Sequence, residues 1–266
     1  RMNGSQNKHA NNEGVNPPNG VRLLYWLKDI TDSTHCSISI FTEKDSLLRT
    51  YKNWETEKED MLTVEQGMNQ FYWGMFVKGA EKIEDMILWN GTVGSYKVPP
   101  GKYKARIKVE KDSTEVWFTI QKDPNYDISE QDYAKQFAFL TQVKNKFDAT
   151  QKTIKDIRAI RLQVQQVKDK LGKSYPSLLD SIGKKLHKEL TLIEEHLYQT
   201  KAKSGQDVLN YPIRLNDKLA GIFDAANQHT APSKGALDAY QEISSKIDIE
   251  VAACKRILQN DVERYN

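Results

Sequence analysis

The sequence predicts an α+β chain with more than one domain, in which an antiparallel β-sandwich is followed by an all-α antiparallel four-helix bundle with long helices. Two patterns along its 266 residues support this prediction. Up to about residue 123, apolar residues alternate with polar ones and turn-forming residues are frequent, as in half-buried strands. From Ser129 onward the apolar spacing becomes about 3.5 residues, which is typical of amphipathic helices. A chain of this length also usually forms two domains rather than one.

The first part of the chain divides into a linker and a β domain. Residues 1–19 are rich in Asn, Gly and Ser and contain a pair of prolines near their end, which favours a linker segment. Residues 20–126 are predicted as the sandwich. Its clearest strand covers 102–109, and a polar turn joins it to a second strand over 116–120 in a hairpin. About seven short strands of this kind, including one over 86–89, indicate an immunoglobulin-like sandwich.

Residues 127–266 are predicted as the helical domain. Ser129 is a good N-cap, and a helix of about 40 residues is expected to end at the helix breaker Gly172. Such a helix is roughly 60 Å long at about 1.5 Å per residue, and it needs partners along its length. Pro212 fits the first turn of the third helix. Three further amphipathic segments complete the bundle: 178–197, 212–223 and 237–258.

The charge and hydropathy patterns argue against two classes of partner. The net charge is only +3, and Asp and Glu are interspersed among the lysines of the predicted helices. A nucleic-acid-binding protein usually has a concentrated basic face, so no nucleic acid is expected as a partner. The sequence contains no run of about 18 apolar residues, so no membrane span is expected either.

No motif in the sequence indicates catalysis or a cofactor. The histidines lack the spacing of a metal site, and residues 194–196 lack the Glu-x-x-His spacing of a di-metal bundle. A nucleophile elbow, a phosphate-binding loop and a dinucleotide fingerprint are also missing from the sequence. Cys36 and Cys254 are expected to be unpaired thiols, and a bridge between them would have to cross domains. We therefore expect no enzyme activity, no catalytic or metal-binding residue and no cofactor.

All five tryptophans fall in the predicted sandwich. Trp26, Trp73 and Trp117 lie in strand-like runs and are expected to fill the core. Trp54 and Trp89 lie near turns and are the more plausible exposed pair, which could stack on sugar rings. Trp54 and Trp89 are therefore the candidate ligand-stacking residues. Exposure of both on one face would support a sugar site, and burial of all five tryptophans would exclude it.

Four short motifs occur in an order that resembles one protein family. They are 16–28 (NPPNGVRLLYWLK), 67–73 (GMNQFYW), 99–103 (PPGKY) and 209–219 (LNYPIRLNDKL). Together they resemble the C-terminal region of bacterial sortilin/Vps10-like proteins with BNR repeats, which carry a glycosyl hydrolase label. The resemblance extends over 16–266. Relatives commonly have Arg at the position of Gln70 and Asp at the position of Gly74, so an ion pair between those two residues would be missing here.

The resemblance implies an exported bacterial protein with a β-propeller upstream of this chain. The hydrolase label would belong to the propeller, and no catalytic residue transfers to this sequence. We therefore expect a non-catalytic structural or interaction region, in which the sandwich packs on the propeller and the bundle offers a surface for a protein partner or for self-association. The alternative is a carbohydrate-binding module that binds polysaccharide through Trp54 and Trp89.

Overall fold

The computed structural model describes residues 19–90 and 93–262. In these residues the chain is α+β, with antiparallel β-sheets in the N-terminal part and four α-helices in the C-terminal part. Apart from residue 19, the linker predicted over 1–19 lies outside the described residues.

The described N-terminal part contains eight strands in three sheets. The largest sheet has the order β3–β2–β7–β8, β1 pairs with β4, and β5 pairs with β6, all of them antiparallel. The predicted hairpin is confirmed as β7 and β8, in register from Gly101↔Ile120 to Val109↔Asp112. The strands are β1 Val21–Leu27, β2 Cys36–Thr42, β3 Leu47–Lys52, β4 Gly67–Trp73, β5 Phe76–Val77, β6 Tyr96–Lys97, β7 Gly101–Val109 and β8 Asp112–Ile120.

One of the three tryptophans expected in the core is buried there. Trp73 is fully buried, and its indole centroid lies 6.0 Å from the ring centroids of both Tyr103 and Phe118. The core prediction is wrong for Trp26 and Trp117, which are 66% and 46% exposed. Alternate strand residues point to opposite faces, and on β1 both faces carry large apolar residues, with Leu24 and Trp26 beside Arg22 on one face and Leu23 and Tyr25 on the other. The period of 2 therefore could not decide which face of β1 is buried.

The strand predicted over 86–89 is wrong. This segment has no strand partner, and two of its backbone N–H groups donate to side chains of the helical part instead. The N–H of Ile87 donates to Tyr198 Oη at 3.1 Å, and the N–H of Trp89 donates to Asp217 Oδ2 at 2.8 Å. Buried backbone donors need acceptors, and here the helices supply them.

The helical part begins and turns where the sequence predicts. The described α-helices are α1 Glu130–Leu171, α2 Ser177–Leu197, α3 Leu215–Ala226 and α4 Lys234–Ile257. The Ser129 side chain accepts a hydrogen bond from the Asp132 N–H and caps α1, and Gly172 ends that helix with a positive φ of 51°. The prediction that Pro212 lies in the first turn of the third helix is wrong. The Pro212 carbonyl accepts a hydrogen bond from Gln199, and α3 begins three residues later.

The second and third helices pack on successive parts of α1. Lys168 of α1 pairs with Asp180 near the start of α2, and Arg158 pairs with Glu194 near its end, so α2 runs antiparallel to α1. The end of α3 lies beside the first turns of α1, where Gln136 Nε2 donates to the Ala226 carbonyl at 3.1 Å. α3 therefore lies on the first part of α1 and α2 on the later part, and the two helices make few contacts with each other.

The fourth helix runs parallel to α1. Tyr240 lies beside Phe139 with a centroid distance of 5.5 Å, and Asp248 pairs with Lys146 at 2.6 Å, so contacts advance in the same direction along both helices. The sequence predicts an antiparallel four-helix bundle, and the parallel packing of α4 on α1 differs from that prediction. At most levels the cross-section contains three helices, which are α1, α4 and either α2 or α3.

A single hydrophobic core connects the sheets to the helices. The main link is residues 78–90 and 93–98, which the sequence assigns to the sandwich. The ring of Tyr96 lies 5.4 Å from that of Phe137 and 5.7 Å from that of Phe223, and its hydroxyl is 2.8 Å from Thr141 Oγ1. The chain connection through 121–129 is thus only one of the links between the two parts.

A protease cut in the exposed connection is expected to leave the two parts bound to each other. Residues 78–90 and 93–98 would still hold the sheets against α1 and α3, through the bonds of Trp89 and Asn90 to Asp217 and through the contacts of Tyr96. A specific protease site inserted between Asp123 and Tyr126 allows the cut, and size-exclusion chromatography under native conditions measures the result. The two fragments should elute together and separate only in denaturant. Separation under native conditions would contradict a fixed junction.

Candidate interaction surfaces

The two candidate stacking residues are half exposed but lie in different places. Trp54 follows β3 at the end of the large sheet where β2 begins, and its ring meets the His35 ring edge-on, with 4.6 Å between the ring centroids. Trp89 lies against α3, where its N–H is bound to Asp217. Since α1 follows β8 at the opposite end of the large sheet, Trp54 and Trp89 do not form one stacking surface. Their expected exposure is confirmed, and a role in binding sugar stays a prediction.

The outer face of the β1–β4 sheet is an apolar surface that the sequence did not reveal. Leu24, Trp26 and Met68 are all more than half exposed, and Trp26 and Met68 are direct cross-strand neighbours. Gln70 and the half-buried Tyr72 continue the same face, and the exposed Arg22 lies opposite Tyr72 at its edge. We call these six residues the β1–β4 face. Contiguous exposed apolar groups of this kind mark binding surfaces more often than scattered ones do.

The outer face of the large sheet carries charges that are mostly neutralised internally. Lys104 is buried, its ammonium lies 5.6 Å from the centroid of the Phe41 ring and 5.4 Å from that of Trp117, and it pairs with Asp45 at 2.5 Å and with Glu115 at 3.1 Å. The hydrogen bond to Asp45 raises the pKa of Lys104. The ammonium groups of Lys102 and Lys104 lie 4.9 Å and 5.4 Å from the centroid of the Trp117 ring, so this half-exposed ring is already occupied by cation–π contacts.

Asp217 is the central polar contact between the two parts. Its buried carboxylate accepts hydrogen bonds from the N–H groups of Trp89 and Asn90, both at 2.8 Å. The Asn90 side chain donates in turn to the Asp217 carbonyl at 3.1 Å. Asp217 lies in the first turn of α3, where the helix dipole favours a negative charge. The 209–219 motif therefore includes the residue that holds the end of segment 78–90 on the helices.

A buried carboxylate links α1 and α2. Glu194 accepts hydrogen bonds from Arg158 Nε at 2.6 Å and from the guanidinium of Arg161. Arg161 also donates to Thr191 Oγ1 at 2.9 Å, and the Arg158 guanidinium lies 5.5 Å from the centroid of the Tyr198 ring. Two guanidinium groups satisfy both oxygens of Glu194, so this carboxylate is held as an ion pair and is poorly placed to accept a proton from a substrate.

The two cysteines and the candidate metal ligands of the described residues lie apart from one another. Cys36 and Cys254 are both buried and unpaired, as expected, and burial raises the pKa of each thiol to about 11. Within 19–90 and 93–262, no three His, Cys, Asp or Glu side chains are grouped so that they could hold a metal ion. None of the helices described there combines the length and apolarity needed to cross a bilayer.

No protein-family model matches the chain, and neither a curated protein nor a solved structure matches it. The resemblance to sortilin-like BNR-repeat proteins therefore stays a prediction.

Proposed function

We propose that this chain is a non-catalytic interaction region of a larger exported protein, and that its sheet part packs against a neighbouring protein domain. Following the resemblance, that neighbour is the upstream β-propeller. The observation that carries the proposal is the β1–β4 face, with Leu24, Trp26 and Met68 exposed side by side. An indole and a thioether are typical of the apolar centre of a protein interface, where aromatic residues and Met are enriched.

We propose that the sheet part is an immunoglobulin-like sandwich. The β1–β4 pair lies over the large sheet, with Phe71 of β4 at 4.7 Å from the Tyr51 ring of β3. Near the start of β7, Tyr103 Oη donates to the Pro99 carbonyl at 2.6 Å. Immunoglobulin-like sandwiches typically have a tyrosine near the start of one strand, whose hydroxyl bonds to the backbone a few residues upstream. Tyr103 makes a bond of this kind.

The non-catalytic assignment is supported by how the buried charges are used. Glu194 is bound by two guanidinium groups, and Asp217 by two backbone N–H groups. Catalytic acids and bases need one unsatisfied position that faces a substrate. Both carboxylates instead hold elements of the fold together.

Oxidative footprinting tests the proposed packing, because hydroxyl radicals react rapidly with Met and Trp side chains that water can reach. The experiment compares this chain alone with the longer protein that contains it. Oxidation of Met68 and Trp26 should be several-fold slower in the longer protein. Met61 and Trp54 are exposed residues of the same part but outside the β1–β4 face, and their oxidation should be unchanged. Equal oxidation of Met68 in both proteins would refute the proposal.

A carbohydrate-binding module is the second candidate, favoured by one observation. Trp26 and Tyr72 share the β1–β4 face, and a flat aromatic face can stack on sugar rings. The test is a titration of intrinsic Trp fluorescence with a panel of soluble polysaccharides. A saturable change that Trp26→Ala abolishes would establish sugar binding at this face, and one that Trp54→Ala or Trp89→Ala abolishes would place it at the turn residues. A flat response across the panel would remove this candidate.

A further inference from the structure

The outer end of the α1–α2 hairpin projects away from the rest of the molecule. Every residue from 165 to 174 is exposed. Ile257, at the end of α4, and Asn260, in the π-helical turn Leu258–Val262 that follows it, line a cleft with Lys185 and Glu189 of α2, so the described part of the last segment is packed beside the hairpin at this level. We call residues 162–185 the hairpin tip. It is a convex, two-helix projection, unlike the three-helix packing closer to the sheets.

The net charge of the chain is concentrated at this tip. Residues 162–185 contain five lysines and two aspartates, a net charge of +3, which equals the net charge of all 266 residues. Asp180 is already paired with Lys168 at 2.7 Å and with Lys184 at 2.6 Å. Lys170 and Lys173, on either side of Gly172, are exposed and make no ion pair with the described residues. Asp169, the remaining acid, accepts a hydrogen bond from Gln165, and residues 168–174 keep a net charge of +2, so the apex of the hairpin is cationic.

Exposed apolar side chains lie beside these lysines. Leu178, in the first turn of α2, is 70% exposed, and Leu171, the last residue of α1, is exposed as well. Tyr175 lies between them in sequence and is half buried, with its hydroxyl bonded to the Leu179 carbonyl. Neither leucine belongs to the hydrophobic core of the described residues, and both lie close in sequence to Lys170 and Lys173.

We propose that the hairpin tip binds the surface of a membrane that contains anionic lipids. The ammonium groups of Lys170 and Lys173 would contact lipid phosphates, while Leu171 and Leu178 enter the boundary between headgroups and acyl chains. Interfacial segments combine basic residues with leucines in this way, and each lysine close to an anionic surface strengthens binding roughly fivefold. This inference concerns a different surface from the β1–β4 face and does not rest on it.

Charge and shape distinguish a lipid surface from other partners. A second copy of the tip would bring two cationic apices together, which is unfavourable. Nucleic acid binds to broad basic faces or to stacking aromatic rings, and this apex is narrow and has one half-buried tyrosine. A bilayer is flat and can accept the leucines of a convex apex, and its anionic headgroups complement the lysines.

Vesicle flotation of the full chain is the direct test. The chain should float with phosphatidylcholine vesicles that contain phosphatidylglycerol and should not float with phosphatidylcholine alone. Binding should fall several-fold at 0.5 M salt, because salt screens contacts between exposed charges. The double variant Lys170→Gln/Lys173→Gln should bind roughly 30-fold more weakly, and Leu178→Ser should also weaken binding.

Matched variants separate the tip from general effects of charge and hydrophobicity. Lys82→Gln/Lys111→Gln removes two exposed lysines of the sheet part, and Leu209→Ser removes a leucine that is even more exposed than Leu178. Both should bind like the unmodified chain, and circular dichroism verifies that every variant is folded. The proposal is overturned if the anionic vesicles do not bind the chain or if the tip variants bind as well as the controls. Binding of a labelled oligonucleotide by the tip, without vesicle binding, would overturn it in favour of nucleic acid.

Discussion

Replacing Trp73 with alanine is expected to lower the free energy of unfolding by about 3–5 kcal/mol. The indole is fully buried between the β1–β4 sheet and the four-stranded sheet, against Tyr103 and Phe118. Its Nε1 donates to the Phe76 carbonyl at 3.2 Å. The substitution leaves a cavity that rigid strands cannot fill, and it leaves the Phe76 carbonyl without its donor. Urea denaturation followed by far-UV circular dichroism measures the change.

Trp26→Ala is the matched control for this experiment. Trp26 belongs to β1, which pairs with the strand of Trp73, but its side chain is on the outer face. Its replacement should change the free energy of unfolding by less than about 1 kcal/mol. A loss at Trp26 as large as that at Trp73 would mean that the assignment of the two faces of the β1–β4 sheet is wrong.

Replacing Asp217 with alanine is expected to lower the free energy of unfolding by about 3 kcal/mol, because two hydrogen bonds to a charged acceptor are lost. The N–H groups of Trp89 and Asn90 would lose their acceptor, and the 86–90 segment would lose its anchor on α3. Asp217→Asn keeps one oxygen acceptor and should cost less. Chemical denaturation of all three proteins provides the comparison.

Asp224→Ala controls for the loss of a negative charge on the same helix. Asp224 is exposed on α3, so its replacement should have an effect of less than about 0.5 kcal/mol. Hydrogen exchange gives a second readout, since the amides of Trp89 and Asn90 should exchange faster in Asp217→Ala and normally in Asp224→Ala. Unchanged exchange of these two amides in Asp217→Ala would contradict the anchoring role.

The sequence predicts the parts of the fold that local chemistry determines. Ser129 marks the start of α1 because its side chain can cap a helix, and Gly172 marks the end because glycine readily takes a positive φ. The β7–β8 hairpin follows from strict alternation around a polar turn. In each case the deciding interaction lies within a few residues, so it can be recognised without knowledge of the tertiary structure.

The same local rules fail where a distant partner decides. The apolar residues of β1 fit either face, and only the packing of β4 and the large sheet sets Trp26 outside. Residues 86–89 have the composition of a strand, but Tyr198 and Asp217, more than 100 positions later, bind their N–H groups. The candidate surfaces were missed for the same reason, because exposure of Trp26 depends on the whole fold.

The contacts between the sheets and the start of α1 also have a mechanical consequence. α1 is 42 residues long, and its first turns are clamped to the sheets by the Tyr96 ring and its neighbours. A rigid rod of this length amplifies rotation, so a tilt of about 5° at the sheets would displace its far end by about 5 Å. A small reorientation of the sheet part on a neighbouring domain would thus become a large excursion at the opposite end of the molecule, without any bending of the helix.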